Sequence, residues 1–304
     1  MSIAERVDQT PTVPPDEMAV PRTSRVRLFV EQRVAFAALV VLVALPLACV
    51  LAGVLPVQDP NLQVPTVRLG HPTTDNWLGA DNLGRDNLAR LLYGGRVTLL
   101  AAVQAVGVAV ILGVPLGVLA GLAGRWVDAV LRTCMDALMS IPPLLLAFAI
   151  VGVLGPGLTN AMLAVGIVMT PRFQRVARSG ARQVARETYI EASRAAGCSP
   201  WRLLWRHVLP NASGPLLVQI SFSIGFAVTA EASLSFLGLG VQAPQASWGS
   251  MVRESFNVIR RDSWQIVPPS VAIAATLLAT SLVGDGIRDA INRSGGGRSA
   301  GARL

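Results

Sequence analysis

The sequence predicts an all-α integral membrane protein with six transmembrane helices and both termini in the cytoplasm. Three observations carry that expectation. Only 14% of the 304 residues are charged and 52% are hydrophobic, whereas an average soluble domain is roughly 25% charged. The apolar residues fall in uncharged blocks near the length of about 20 residues that a bilayer requires. The arginines are distributed unequally between alternate connecting segments, as expected when basic residues collect on the cytoplasmic side. Together these exclude a secreted disulfide scaffold, a disordered chain and an ordinary water-soluble enzyme.

The spans follow in order. Val34–Val57 is uncharged and long enough, and so is Val97–Gly124. Ala137–Pro171 is uncharged but too long for one helix. It divides at Gly155-Pro156-Gly157, a strong turn signal. The second half, from Leu158, has 14 residues before Arg172 and is the shortest span. Gly214–Gly240 is apolar except for Glu231, and Ile266–Val283 closes the set. With the N-terminus inside, the inner segments hold 19 arginines and the outer segments 7. An odd number of spans before Arg172 would expose the most basic loop outside, so charge supports the short fourth span. All six tryptophans are expected outside the apolar cores.

The domain organisation follows from these spans. Residues 1–33 read as a mobile cytoplasmic tail broken by Pro11, Pro14, Pro15 and Pro21. A signal peptide is a poorer reading, because the first apolar run is too long and starts too far from Met1. Residues 34–96 form the first span and an extracytoplasmic segment. Residues 97–292 form the transmembrane core with a cytoplasmic loop at 172–213, and 293–304 form a Gly/Ser/Arg-rich disordered tail.

Chemistry is restricted by what the chain lacks. All 26 basic residues are arginine, so a Schiff-base lysine and the phosphate-binding lysine of a Walker A loop are both excluded. Cys49, Cys134 and Cys198 match no metal motif, and His71 and His207 cannot form a zinc site alone. No catalytic residue, metal or cofactor is expected in this chain.

The cytoplasmic loop is too long and regular to be a passive connector. Arg175–Ala196 is rich in helix formers, and Gly197 supplies a stop in a left-handed backbone conformation. Ser199-Pro200 restarts a helix, with Trp201, Leu204, Trp205 and Val208 on one face, and Pro210 ends it. Such a helix pair could bind DNA, rest on anionic lipid, or present its short helix to a groove on a partner protein. The last is preferred, because the loop is tethered at the bilayer and no base-reading residues stand out.

Glu191-Ala192-Ser193, three residues, Gly197, nine residues, then His207-Val208-Leu209-Pro210 resembles the EAA loop of ABC importer permeases. Ser193 replaces an alanine of that pattern and His207 an isoleucine. Three more stretches resemble the dipeptide, oligopeptide and nickel branch, in its C-type permease subunit. They are Leu78–Asp86, where Ala80 replaces threonine, Leu234–Gln242 with Ser247-Trp248-Gly249, and Gly284–Asp289. Near the last of these, Pro269 and Ser281 replace the usual glycine and asparagine. The resemblance covers roughly residues 75 to 293.

It implies the type I ABC importer permease fold in a bacterial inner membrane. It also implies a second permease subunit in a heterodimer, two ATP-binding subunits that hold ATP and magnesium, and an extracytoplasmic substrate-binding protein. Membrane lipid is a further partner, and nucleic acid is not. Glu191, Ala192, Ser193, Gly197, His207, Leu209 and Pro210 are the implied ATPase-coupling residues. The cargo implied is a dipeptide or oligopeptide, with nickel or glutathione as alternatives. A stand-alone secondary transporter is the rival from another class. It is disfavoured because only one ionisable residue lies deep in a span and no internal repeat is visible.

Candidates for the pathway or gate are Glu231, Pro142, Ser235, Arg85 and Asp86. Glu231 reads either as a contact for a passing peptide ammonium or as an internal hydrogen-bond partner. Asp136 is expected to pair with Arg132 at helical spacing. Pro142-Pro143 and Pro268-Pro269 are expected to bend or unwind their helices. Gly107, Gly113, Gly117 and Gly121 offer surfaces for close helix packing. Gly84-Arg85-Asp86 reads either as an outer closure or as an ordinary capped turn.

Overall fold

A computed structural model describes residues 29–30, 32–54, 56–185, 197, 199 and 209–299. Among these the α-helices are α1 (Arg33–Leu51), α2 (Asn87–Leu122), α3 (Arg125–Ser140), α4 (Pro143–Leu154), α5 (Leu158–Ala185), α6 (Leu209–Phe236), α7 (Trp248–Val258) and α8 (Val267–Ser299). No β-strand occurs among the described residues, only an isolated bridge between Ala80 and Asp86. The described residues are therefore all-α, as expected. Glu191, Ala192, Ser193, His207, Cys198, Trp201 and Trp205 lie outside the described residues, as does most of the N-terminal tail.

Four helical stretches are long and apolar enough to cross a membrane: Arg33–Leu51, Asn87–Leu122, Ser213–Phe236 and Trp264–Asn292. A fifth arises if α3 and α4, bent by 94°, count as one broken span. The bend falls at Pro142-Pro143, where the ring of Pro143 starts a new helix and cannot continue the old one. α5 does not meet the same test, because Arg172, Arg175, Arg178 and Arg182 fill its second half.

Several boundaries differ from those read in the sequence. α2 starts at Asn87, well before Val97, because Asp86 caps it by accepting the Ala89 N–H at 2.8 Å. Its 36 residues extend about 54 Å, longer than the roughly 30 Å hydrocarbon core, so its polar N-terminal turns lie beyond the bilayer. Pro268-Pro269 do not break a span. They occupy the first turn of α8, where a missing N–H costs nothing. α8 is helical through Ser299, beyond Asn292, where the sequence suggests a disordered tail. Adding residues to an existing helix gains a hydrogen bond each without a new nucleus.

Packing centres on α2 and α5. A Cβ at Gly113 would stand 2.7 Å from the Phe173 Cβ and the Thr170 carbonyl, and one at Gly121 would stand 2.5 Å from the Ala181 Cβ. Gly117 lies between them, against the Gln174 carbonyl and Ala177. This glycine row at every fourth residue lets the two backbones touch. Gly107 does not belong to it, since nothing lies within 4 Å of its Cβ position.

α6 packs across α5 and α2, α8 lies on α6, and α1 attaches to α8 and α2 from outside. Only 17% of the apolar window of α1 is buried, against 44% for α2, so most of the α1 surface is left uncovered by the other described residues. Its C-terminal carbonyls are satisfied from α2: Arg96 donates to Cys49 O at 2.5 Å and Val50 O at 2.8 Å. Trp248 lies outside the spans, as expected, yet not on the surface. It is buried at the start of α7, and its indole N–H donates to Leu91 O at 2.9 Å.

Candidate functional site

Three polar clusters stand along the molecule, and each is built from separate segments. The outer one, named for the orientation the sequence predicts, gathers the end of the segment between α1 and α2, the start of α2, α7 and the turn before α8. Asp81 forms an Asx turn, its Oδ1 accepting the N–H groups of Leu83 and Arg85 at 2.8 and 2.9 Å. That turn aims Arg85 back at its own Asp81, 2.6 Å away, and across to Glu254 on α7, 2.7 Å away. Arg90, one turn into α2 and 1% exposed, donates to both oxygens of Glu254 at 3.1 and 3.0 Å.

An amide network completes this cluster. Asn87 donates to Gln265 at 2.6 Å, and Gln265 donates to Asp262 at 2.6 Å and to Ala80 O at 2.9 Å. Asp86 is the helix cap, and burial pushes its carboxyl above the usual range against the pull of the Ala89 and Leu88 N–H groups. Arg85 and Asp86 thus form a capped turn fastened to α7.

The middle cluster surrounds Glu231 on α6, which is 0% exposed. Ser235 donates its hydroxyl to Glu231 Oε1 at 2.7 Å, and Thr98 on α2 donates to Oε2 at 3.2 Å. Each hydroxyl is itself an acceptor: Ser235 Oγ takes the Val241 N–H at 3.2 Å, and Thr98 Oγ1 takes the Trp248 N–H at 3.1 Å. Two short hydrogen-bond chains therefore end on one carboxylate and tie α2, α6, the loop after α6 and α7 together. This is the internal hydrogen-bond arrangement, and it encloses both Glu231 and Ser235 within the chain. Pro142, by contrast, is exposed at the α3–α4 bend.

The inner cluster joins α3 to α5. Asp128, in the first turn of α3, is paired by Arg178 through Nε and through Nη2, the latter at 2.9 Å. Arg182 reaches the same carboxylate at 2.7 Å, and Arg132 reaches it at 3.3 Å. Asp136 pairs with Arg175 on α5 at 2.7 Å, not with Arg132 as its spacing suggests. Facing helices offered it a straighter partner than its own helix did. Asp128, Arg132 and Asp136 recur at intervals of four on α3, and Arg175, Arg178 and Arg182 at three and four on α5, so each set lies on one face. That spacing is the signal by which the cluster could have been found in the sequence. The Arg172 guanidinium lies 4.7 Å above the Phe226 ring and ties α5 to α6.

α5 ends its described course at Ala185, and α6 is helical from Leu209, so residues 186–208 connect two neighbours of the core. Within that connection Gly197 has φ +76°, and no atom of the described residues lies within 4 Å of its Cβ position. A left-handed turn therefore stands where the sequence places the helix stop. Leu209 and Pro210 are both helical.

Comparison with known proteins agrees with this architecture. Residues 113–294 match the family model described as binding-protein-dependent transport system inner membrane component. The chain is 36% identical to the dipeptide transport system permease protein DppC of Alkalihalophilus pseudofirmus, covering 86% of each chain. It is 40% identical to the probable D,D-dipeptide transport system permease protein DdpC of Escherichia coli, over 86% of this chain and 88% of that one. It is also 40% identical to the glutathione transport system permease protein GsiD of Pectobacterium atrosepticum, over 73% of each. Its fold is similar to a chain of the MetNI methionine ABC transporter in an inward-facing conformation. There the TM-score is 0.54 at 19% identity, covering 67% of this chain and 97% of that one. With the glycine-fastened helix pair, the apolar spans and these relatives taken together, the chain belongs to the inner-membrane components of binding-protein-dependent transport systems, the permease subunits of ABC importers.

Proposed function

We propose that this chain is one of two permease subunits of an ATP-driven importer of short peptides. The observation that carries the reading is the identity of 36% and 40%, over 86% of the chain, to relatives named for dipeptide and D,D-dipeptide transport. Glutathione is the second reading, favoured by the relative at 40% identity that is named for it. Both are small peptides with a free carboxylate, so the two readings share their chemistry.

In this account the spans are α1, α2, the bent α3–α4 pair, α5, α6 and α8, with both termini in the cytoplasm. The loop at 186–208, carrying Glu191, Ala192, Ser193, Gly197 and His207, docks on an ATPase subunit. ATP and magnesium are bound there, not by this chain, and a second permease subunit completes the pathway. A binding protein delivers cargo from outside. Nucleotide and binding protein act only by binding one state of the permease more tightly than the other. The test is the purified four-subunit complex with its binding protein, assayed for ATP hydrolysis. Stimulation by dipeptides and not by glutathione supports the peptide reading. Stimulation by glutathione alone transfers the assignment, and stimulation by neither removes both.

A further inference from the structure

We propose that Asp128 is a positioning residue of the transport cycle, a latch that makes α3 travel with the cytoplasmic end of α5. The inference rests on the reading of residues 186–208 as the coupling loop, because that loop continues directly from α5.

The burial pattern of α3 is inverted. Trp126 is 84% exposed, Val130 57% and Met139 42%, while the carboxylate of Asp128 is buried, and Met135 is the one apolar residue of α3 buried with it. Apolar packing therefore does little to hold this helix to the protein. Its hold is ionic: Asp128 takes Arg178 and Arg182, and Asp136 takes Arg175. α5, in contrast, is fixed to α2 by backbone contact as far as Gly121 and Ala181. Arg182 follows immediately, and Ala185 leads into the loop. The latch thus sits where the anchored part of α5 gives way to the part that receives a push.

The other end of α3 is the 94° bend, beyond which α4 packs against the outer half of α5. A displacement of the α5 terminus that carries α3 with it must change that bend. Arg178 and Arg182 stand one helical turn apart, and both reach the same carboxylate. α3 can consequently shift by about half a turn in either direction, roughly 2.7 Å, and still keep one of the two partners, which is the geometry of a discrete two-position contact. A merely structural ion cluster needs neither the shared carboxylate nor the adjacent bend.

The experiment uses the full complex with its ATPase subunits and binding protein in a cysteine-free background. Spin labels are placed at Thr133→Cys on α3 and Ser179→Cys on α5, both exposed. With Asp128 present, the label separation is expected to occupy one or two narrow populations in every nucleotide state. Asp128→Asn is expected to broaden them and to raise the ATP hydrolysed per substrate imported by roughly threefold or more. The exchange Asp128→Arg with Arg178→Asp is expected to restore narrow populations.

Narrow populations together with an unchanged ATP ratio in Asp128→Asn would overturn the latch. Should that variant fail to assemble, the double variant Arg178→Gln, Arg182→Gln is decided by the same two readouts. Failure of the coupling-loop reading is seen separately, as normal uptake by Gly197→Asp, and leaves the label separations to judge the tether alone.

Discussion

The outer and inner ionic clusters use the same side chains to opposite ends. Outside, two guanidiniums meet two carboxylates, Arg85 and Arg90 against Asp81 and Glu254, and amides from Asn87 and Gln265 close the network. The Arg90 side chain is 1% exposed. Inside, three guanidiniums share Asp128, and two of them, Arg132 and Arg182, have half-exposed side chains, 57% and 46%. The first cluster buries both arginines, leaves only Glu254 partly exposed and is drawn from four segments. The second has surplus positive charge, is wetted on its arginine side and joins only two helices. Removing one partner of a buried pair strands a charge, whereas a wet pair re-solvates. The outer cluster is therefore an anchor, and the inner one can exchange partners.

The largest effect that should expose this difference is Arg90→Ala. It leaves Asp81 and Glu254 sharing the single guanidinium of Arg85 beneath α7, one negative charge in excess, at a cost of up to about 3–5 kcal/mol. Loss of assembled complex, read by detergent-extracted yield and thermal unfolding, is the expected outcome, and Arg182→Ala at the inner cluster should leave both near wild type. Next in size is the helix contact that keeps the latch's base still. Gly117→Val forces a side chain into the Gln174 carbonyl and Ala177 and should destabilise by about 1–3 kcal/mol. Gly107→Val, with nothing within 4 Å, should be neutral in the same unfolding assay. Equal effects would show that the α2–α5 contact is not the rigid frame.

Much of this was legible in the sequence, and the omissions have physical causes. Span positions follow from composition, since a bilayer tolerates little else. The break at Pro142-Pro143 follows from the missing N–H. Hydropathy starts the second span at Val97 and α2 starts at Asn87, because hydropathy marks where a helix enters lipid, not where its hydrogen bonds begin. Asp86 capping Ala89 marks the latter. Trp248 and Ser247 lie in a segment that reads as a polar connection, yet both are buried, because the Thr98–Glu231 chain draws that segment inward. Asp136 was paired within its own helix because spacing shows neighbours on one helix and is silent about a facing one. The loop motif carries the family resemblance, which composition could not, and Glu191, Ala192, Ser193 and His207 lie outside the described residues.

The smallest effect separates the clusters by screening. Raising salt from about 0.1 M to about 1 M shortens the Debye length from about 10 Å to about 3 Å. The Thr133–Ser179 label separation should broaden modestly, and a label pair placed across the outer cluster, at Asn61 and Arg253, should not change. Broadening at both would make the two clusters equivalent.

The account's central claim is that force enters this chain from an ATPase through residues 186–208. Gly197→Asp tests it most directly. Gly197 has φ +76°, and no described residue lies within 4 Å of its Cβ position, so the substitution strains the turn by about 1 kcal/mol without a clash against the described residues. That is too little to unfold the spans, but it adds a charge on the loop proposed to meet the ATPase. Uptake of labelled peptide is measured in sealed vesicles containing the complete complex. The account predicts that the variant is inserted and paired with the second permease subunit, yet imports little, and that wild-type permease without ATPase subunits imports nothing. Substantial import by Gly197→Asp, or by wild type without the ATPases, would contradict it.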